Sequence, residues 1–480
     1  MNRREFLRKS VYCSAALASR LCAASASGRC LNVVLIMTDN HGAWTLGCYG
    51  NPDIRTPHID RLATEGVRFT RAFSSNAVCS PTRATYLTGL IPSQHGVHCY
   101  LGRGEAQMGA KAYSTIAEFR TLPQILSENG YACGLVGKWH LGNNMRPQEG
   151  FSYWITMPHG GTSTFYDAEV IEDGKVRIEP KYLTDLWTEH GTKFIEQNKD
   201  HPFFLFLSYN GPYGLGSSLN KPPRNRHTQY YSDKDLRSFP RGSTHPWLVN
   251  NKQYIGNVDA IRRYACELSA IDDGAGQIMH TLKEHGLDED TLVIFTADQG
   301  WAGGQNGLWG MGDHTRPLHA FDSTMRIPLI FRHQGTIPPA RKSNLMVSNY
   351  DLLVTVLGHI GLAGEAPSNP KPPGRDYSPA LKGKSLQWDN VVFYEFENVR
   401  AIRTAEWKYV ERLRQGPHEL YDLKNDPNER FNLYGQPKQS DVQKGLRTKL
   451  YRFFDRYADP KYDLWRGGRS KTHLLSGKAW

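Results

Sequence analysis

The chain has 480 residues, more than one hydrophobic core usually holds, which predicts a large domain with a smaller appendage. With 39% hydrophobic and 22% charged residues it is neither disordered nor collagen-like, and no apolar run beyond the N-terminus reaches the roughly eighteen residues of a membrane span. The formal charge of +11 suits anionic ligands, but no basic repeat interleaved with aromatics points to nucleic acid.

The first element in chain order is an address. Arg3 and Arg4 precede a weakly apolar stretch from Val11 to Ala18, and Ala24, Ser25 and Ala26 offer a small-residue cleavage site. This resembles a twin-arginine export signal over residues 1–26 and predicts a periplasmic or secreted protein. Its removal lowers the formal charge to +7. Neither Cys22 nor Cys30 sits in a convincing lipobox. The later cysteines (Cys48, Cys79, Cys99, Cys133, Cys266) are irregularly spaced, which argues against a dense disulfide framework and against a zinc pattern.

Four short apolar runs end abruptly in polar residues: "NVVLIMTDN" (32–40), "ACGLVGKWHLG" (132–142), "FFLFLSYNGPYG" (203–214) and "TLVIFTADQG" (291–300). Helical-looking segments such as "TLPQILSENG" and "YACELSAIDDGAGQIMHTLKEHG" lie between them. The pattern predicts an α/β domain over residues 30–365, with a large, mostly parallel sheet flanked by helices. Open sheets of this kind bind ligands beyond the carboxyl ends of their strands. Asp39, Asn40, Lys138, His140, Asp298 and Gln299 all fall at such ends and define one candidate site.

Between the first two runs lies "VCSPTRATYLTGL" (78–90), which predicts a short helix over 81–88, opened by Pro81 and stopped by Gly89. Cys79 stands just before it and Arg83 one turn further on the same face, an arrangement suited to a sulfate or phosphate oxyanion. A thiolate phosphatase would place its arginine six positions after the cysteine, where this chain has Thr85. Residues 215–255 are too long and irregular for a simple connection and predict a functional excursion over the edge of the sheet. After residue 365, "PSNPKPPGRDYSP" reads as a linker. Beyond it, residues 380–480 predict a smaller antiparallel sheet closed by a helix near "DVQKGLRTKLYRFFDRYA".

The run "CSPTRATYLTG" resembles the signature of the sulfatase family, and "GKWHLG", "TADQG", "FDSTMRIPLI" and "WKYV…ELYDLKNDPNE" resemble further family landmarks in family order. The resemblance implies that Cys79 is the precursor of Cα-formylglycine, made by a separate maturation enzyme. In that scheme one hydroxyl of the hydrated aldehyde attacks sulfur and the other later expels sulfate. It also implies a divalent cation on Asp39, Asn40, residue 79, Asp298 and Gln299. These side chains offer oxygen ligands, which favours calcium over zinc, with magnesium as the alternative. Lys138 and His140 match the family's sulfate-binding lysine and the histidine that assists the formylglycine hydroxyls.

Three positions depart from the family pattern. Asn40 stands where a second acid is common, Tyr213 where many members carry a histidine, and Pro317 where many carry a lysine. Nearby His314, Arg316 and His319 are expected to fill the gap, a histidine as proton donor and Arg316 on the sulfate, with Tyr213 as the other candidate donor. The implied reaction is hydrolysis of a sulfate ester on a sulfated small molecule or glycan. Two alternatives stand beside it: a phosphonate or phosphodiester hydrolase of the same superfamily, and a catalytically silent paralogue that binds sulfated glycans.

Overall fold

The computed structural model describes residues 30–476 except 103, 105, 221–223 and 415; the export-signal reading lies outside the described residues. The strands in chain order are β1 (Asn32–Asp39), β2 (Val67–Phe73), β3 (Ala132–Gly137), β4 (Tyr153–Thr156), β5 (Ala168–Glu172), β6 (Lys175–Glu179), β7 (Phe203–Pro212) and β8 (Thr291–Ala297). The short β9 (Ala302–Gly303) and β10 (Trp309–Gly310) follow, then β11 (Leu329–Arg332) and β12 (Arg341–Ser348). All but β9 and β10 join one ten-stranded sheet in the order β12-β2-β11-β8-β1-β7-β3-β4-β5-β6. Pairing is parallel through the block β8-β1-β7-β3-β4 and antiparallel at β11 and at the β5–β6 edge.

The continuous apolar runs are explained by burial on both faces. Val34 and Ile36 of β1 point into a cluster with Trp187, Phe194, Ile271 and Ile278 from the helices Leu183–Asn198 and Val258–Glu284. Val33, Leu35 and Met37 point the other way, toward Tyr86, Leu87, Leu126, Leu353 and Val356 from the helices Cys79–Thr88, Leu122–Glu128 and Leu352–His359. Each such side chain stabilises the fold by about 1.5–3 kcal/mol on burial. A strand with no solvent face has no reason to alternate.

A second, antiparallel sheet comprises β13 (Val391–Phe396), β14 (Val399–Thr404), β15 (Trp407–Arg412) and β16 (Glu419–Asp422). One face, with Val392, Tyr394, Phe396 and Val410, packs on Phe73, Ala77 and Val78, the approach to Cys79. The other face, with Ile402, Tyr409 and Leu420, is covered by Leu446, Leu450 and Phe454 of the helix Ser440–Tyr457. The proline-rich segment before β13 is packed rather than loose. Pro372 lies against Gly89, where a Cβ would come within 3.2 Å of it, and the Arg375 amide donates to Asp351 Oδ1 at 2.8 Å.

Candidate active site

The four adjacent strands β8, β1, β7 and β3 deliver the predicted residues side by side. Asp39 ends β1, Lys138 follows β3, Tyr213 follows β7 and Asp298 follows β8. Parallel neighbours end at the same edge, so residues far apart in sequence meet there. The turns that leave the strands are sharp: Asn40, His140 and Tyr213 adopt φ values of 58°, 60° and 57°. Three left-handed non-glycine residues around one point mark a backbone held in place by its surroundings.

The helix opposite starts at Cys79, two residues earlier than the sequence predicts, because Cys79 itself forms the first turn; it ends at Gly89 with φ 72°. Cys79 Sγ lies 3.4 Å from Asp39 Oδ1 and 3.3 Å from Gln299 Nε2. The Gln299 carboxamide also meets Asn40 Oδ1, and Thr82 Oγ1 donates to Gln299 Oε1 at 3.2 Å. Asp39, Asn40, Asp298 and Gln299 are completely buried. Burial and the neighbouring carboxylates push the Cys79 thiol well above its ordinary range, so it is a poor source of thiolate.

Arg83 and Lys138 supply the positive charge under this ring. Lys138 Nζ pairs with Asp39 Oδ2. The Arg83 Nε and Nη2 donate to Asp298 Oδ2 at 3.1 and 2.9 Å, and Nη1 donates to the Lys138 carbonyl at 2.7 Å and to Ser208 Oγ at 2.6 Å. Arg83 therefore holds the floor of the site together and faces protein on every side. Burial and Asp39 raise Asp298 to about 6 even so, while burial is outweighed by the carboxylates at Lys138, whose ammonium is favoured. Asp298 thus stays raised although Arg83 is paired with it. Two carboxylates close together, and a donor set of carboxylate and carboxamide oxygens around residue 79, fit a hard divalent cation.

Above the floor opens a cavity of about 740 Å³, lined among others by Cys79, His140, Tyr213, Asp313 and His314. His140 Nε2 donates to the Leu101 carbonyl at 2.9 Å, which leaves Nδ1 as a buried lone pair with no partner. Burial and the Lys138 charge lower its pKa well below the ordinary value, so the imidazole is a neutral acceptor. Gly160 closes over it, where a Cβ would fall within 2.0 Å of Nδ1. The Lys138 ammonium lies 5.5 Å from the Tyr213 ring centroid, and burial with Asp39 pushes the phenol far up. The phenol thus stays protonated.

His314 stands in the cavity wall between Asn251 Nδ2, at 3.0 Å from its Nδ1, and Asp313 Oδ1, at 3.3 Å from its Nε2. The expectations for two neighbours need correction. His319 is 1% exposed and absent from the cavity; both ring nitrogens are engaged, by Thr315 at 2.7 Å and Thr324 at 3.1 Å, because the Arg316–Leu318 turn carries it inward against Phe321. Arg316 also stays out of the lining, its Nη1 donating to the Asp313 and Thr315 carbonyls at 2.8 Å. Sequence reasoning missed Ser208, Asn251 and Asp313. Ser208 could have been noticed as a lone hydroxyl late in an apolar strand, whereas Asn251 has no local signal within its irregular segment. That segment, 215–255, does reach the site, placing Leu215, Ser217, Val249, Asn250, Asn251 and Gln253 in the cavity wall.

Buried acids and cations gathered around Cys79 at the carboxyl edge of an α/β sheet form the kind of site in which enzymes handle tetrahedral oxyanions. Residues 31–362 match the Sulfatase family model, and residues 310–456 match the N-sulphoglucosamine sulphohydrolase C-terminal model. The chain belongs to the sulfatase family and is a sulfatase. It is 25% identical over 523 aligned residues to N-acetylglucosamine-6-O-sulfatase of Bacteroides thetaiotaomicron, covering 91% of this chain and 89% of that one. A protein solved with its substrate D-glucosamine-2-N,6-O-disulfate shares the fold, with TM-score 0.70, 24% identity and coverage of 89% and 98% of the two chains. The phosphonate monoester hydrolase of Agrobacterium radiobacter shares it as well, with TM-score 0.66, 21% identity and coverage of 90% and 96%. Among the described residues no helix is long and apolar enough to cross a membrane.

Proposed function

We propose that the enzyme hydrolyses a sulfate ester on a carbohydrate, with Cys79 matured to Cα-formylglycine and calcium held by Asp39, Asn40, Asp298 and Gln299. The observation that carries this is the placement of residue 79: first residue of its helix, between Asp39 and Gln299, at the base of a 740 Å³ cavity large enough for a sugar. When present, the aldehyde hydrate supplies a hydroxyl nucleophile and the cation neutralises sulfate charge. The chain's own groups do the rest. Lys138, paired with Asp39 beneath the cavity, supplies positive charge below the sulfate, Arg83 fixes Asp298, and the unpartnered His140 Nδ1 offers a hydrogen-bond acceptor in the cavity that residue 79 also lines. His314, flanked by Asp313, holds the proton for the leaving alcohol, with the Tyr213 phenol as the other donor. Residues 1–26 direct the protein to the periplasm or beyond, and the maturation enzyme is its partner. The carbohydrate assignment draws on the N-acetylglucosamine-6-O-sulfatase named above.

The mass of the peptide containing residue 79 tests the maturation step: formylglycine in active protein supports it, and unmodified cysteine at full activity overturns it. Exhaustive chelation should abolish turnover, with Asp39→Ala more damaging than Asn40→Ala because it removes a formal charge as well as a ligand. The rival reading as a phosphonate or phosphodiester hydrolase has the fold of the Agrobacterium enzyme in its favour. Parallel assays on sugar sulfates and phosphodiesters separate the two.

A further inference from the structure

The described residues lining the cavity include no lysine or arginine; Asp313 is their one carboxylate, and amides and hydroxyls such as Asn250, Asn251, Gln253 and Ser217 make up much of the rest. Lys138 and Arg83 lie beneath it, each paired with an acid. Among the described lining residues, a chain bearing sulfates beyond the scissile one therefore finds no lysine or arginine to meet them. The cations are elsewhere. Residues 440–476 carry nine Lys and Arg against four Asp, a dense share of a chain whose whole formal charge is +11.

The structure orders these charges. On the helix Ser440–Tyr457, Lys444, Arg447, Tyr451, Arg452 and Arg456, with Asp455 as the one carboxylate among them, border a groove of about 730 Å³. Arg447 is paired with Glu411, and Arg466, Lys461 and Lys471 also have acidic partners. Exposed Lys444, Arg452, Arg456 and Arg469 enter no ion pair among the described residues. Tyr451 is 39% exposed, and the Arg456 guanidinium lies 5.2 Å from the Tyr457 ring centroid. Charged groups with an aromatic beside them suit a sulfated sugar chain, whose faces are apolar and whose edges are anionic.

The path of the chain links this surface to the site. After the helix, the Asp459 amide donates to the Ser93 carbonyl at 2.9 Å and the Lys471 amide to Gly96 at 2.8 Å. Thr472 Oγ1 accepts from the Cys99 amide at 3.0 Å, and the His473 ring meets Tyr100 edge-on with centroids 5.0 Å apart. Tyr100 lines the catalytic cavity. We propose that the C-terminal helix and tail form a cationic track that holds a sulfated polysaccharide outside the cavity while one of its sulfated residues enters. The proposal rests on the reading of the site as a carbohydrate sulfatase and adds to it a second, non-catalytic surface.

The test is the full chain with Lys444→Glu, Arg452→Glu, Arg456→Glu and Arg469→Glu together, checked for an unchanged melting temperature. Fluorescent dextran sulfate serves as the polymer, and binding is read by anisotropy over a salt series, independently of turnover. At least tenfold weaker binding, with kcat/KM on a sulfated monosaccharide unchanged, is expected. Undiminished dextran sulfate binding overturns the track, as does single-stranded DNA of matched charge binding more tightly than dextran sulfate. Because binding needs no catalysis, absence of activity on any sulfated sugar would sink the assigned reaction and leave this measurement standing. If the charge reversals destabilise the protein, the four glutamine substitutions at the same positions give the same reading with a smaller expected loss.

Discussion

Arg83 shows how a residue with the right chemistry can take a role that its motif does not announce. As part of a helix mouth it suggests a ligand for the sulfate. In the structure all its bonds go to Asp298, the Lys138 carbonyl and Ser208, so it acts by holding two strand ends and a carboxylate in register. Arg83→Ala should therefore leave Asp298 buried without its partner and destabilise the protein by about 3–5 kcal/mol, read in denaturant unfolding. Arg83→Lys, which keeps charge but loses the two-pronged contact, should recover part of that loss. His314 and His319 divide in the same way. His314→Ala should slow a sugar sulfate far more than an activated aryl sulfate, since only the poor leaving group needs the proton. His319→Ala removes a ring bonded to two threonines and should lower stability while leaving the ratio of the two rates unchanged. Equal slowing of both substrates in His314→Ala would transfer the donor role to Tyr213.

The elements that build the site are the strand ends and the loops that close over them. β1, β3, β7 and β8 run parallel and finish at one edge, so the turns after them must diverge within a residue or two, and Asn40, His140 and Tyr213 do so with positive φ. The loop through Gly160 then covers the His140 ring so closely that no side chain fits between. Gly160→Ala should displace His140 and cut kcat by at least about tenfold while the far-ultraviolet dichroism stays that of the parent, in keeping with the cost of overpacking a tight contact. Unaltered kcat in that variant would remove His140 from the reaction. The small sheet belongs to the site through packing: its Val392, Tyr394 and Phe396 support Ala77 and Val78, the two residues that lead into Cys79.

At the scale of the whole molecule, buried titratable groups pull the stability profile in opposite directions. Burial raises Glu267 to about 8, Asp272 to about 7 and Asp351 to about 6. The folded state keeps these protons while the unfolded chain releases them near pH 4, so their contribution is complete in acid and is lost as pH rises through 6 to 8. Burial lowers His41 and His359 to about 3 and His98 to about 4. The unfolded chain takes up these protons below about pH 6.5, so stability also falls as pH drops below that value. The melting temperature should peak near about pH 6 and decline on both sides, and a profile still rising from pH 6 to 8 would contradict it. What the sequence determined by itself is whatever is local or repeated along the chain. Apolar runs ending in Asp39, Lys138 and Asp298 suffice for the sheet and for the edge at which these residues meet, and Gly89 for the end of the Cys79 helix, because strand periodicity and turn chemistry act over a few neighbours. The order β8-β1-β7-β3, the inward turn of His319, the bonding of Arg83 and the arrival of Asn251 beside His314 were decided only by tertiary structure. The strand order, the bonding of Arg83 and the arrival of Asn251 depend on contacts between segments tens to hundreds of residues apart, and the Tyr394 hydroxyl, which donates to the His319 carbonyl, adds such a contact to the local threonine bonds of His319; packing and the satisfaction of buried polar groups choose among side-chain directions that the local sequence leaves equally open.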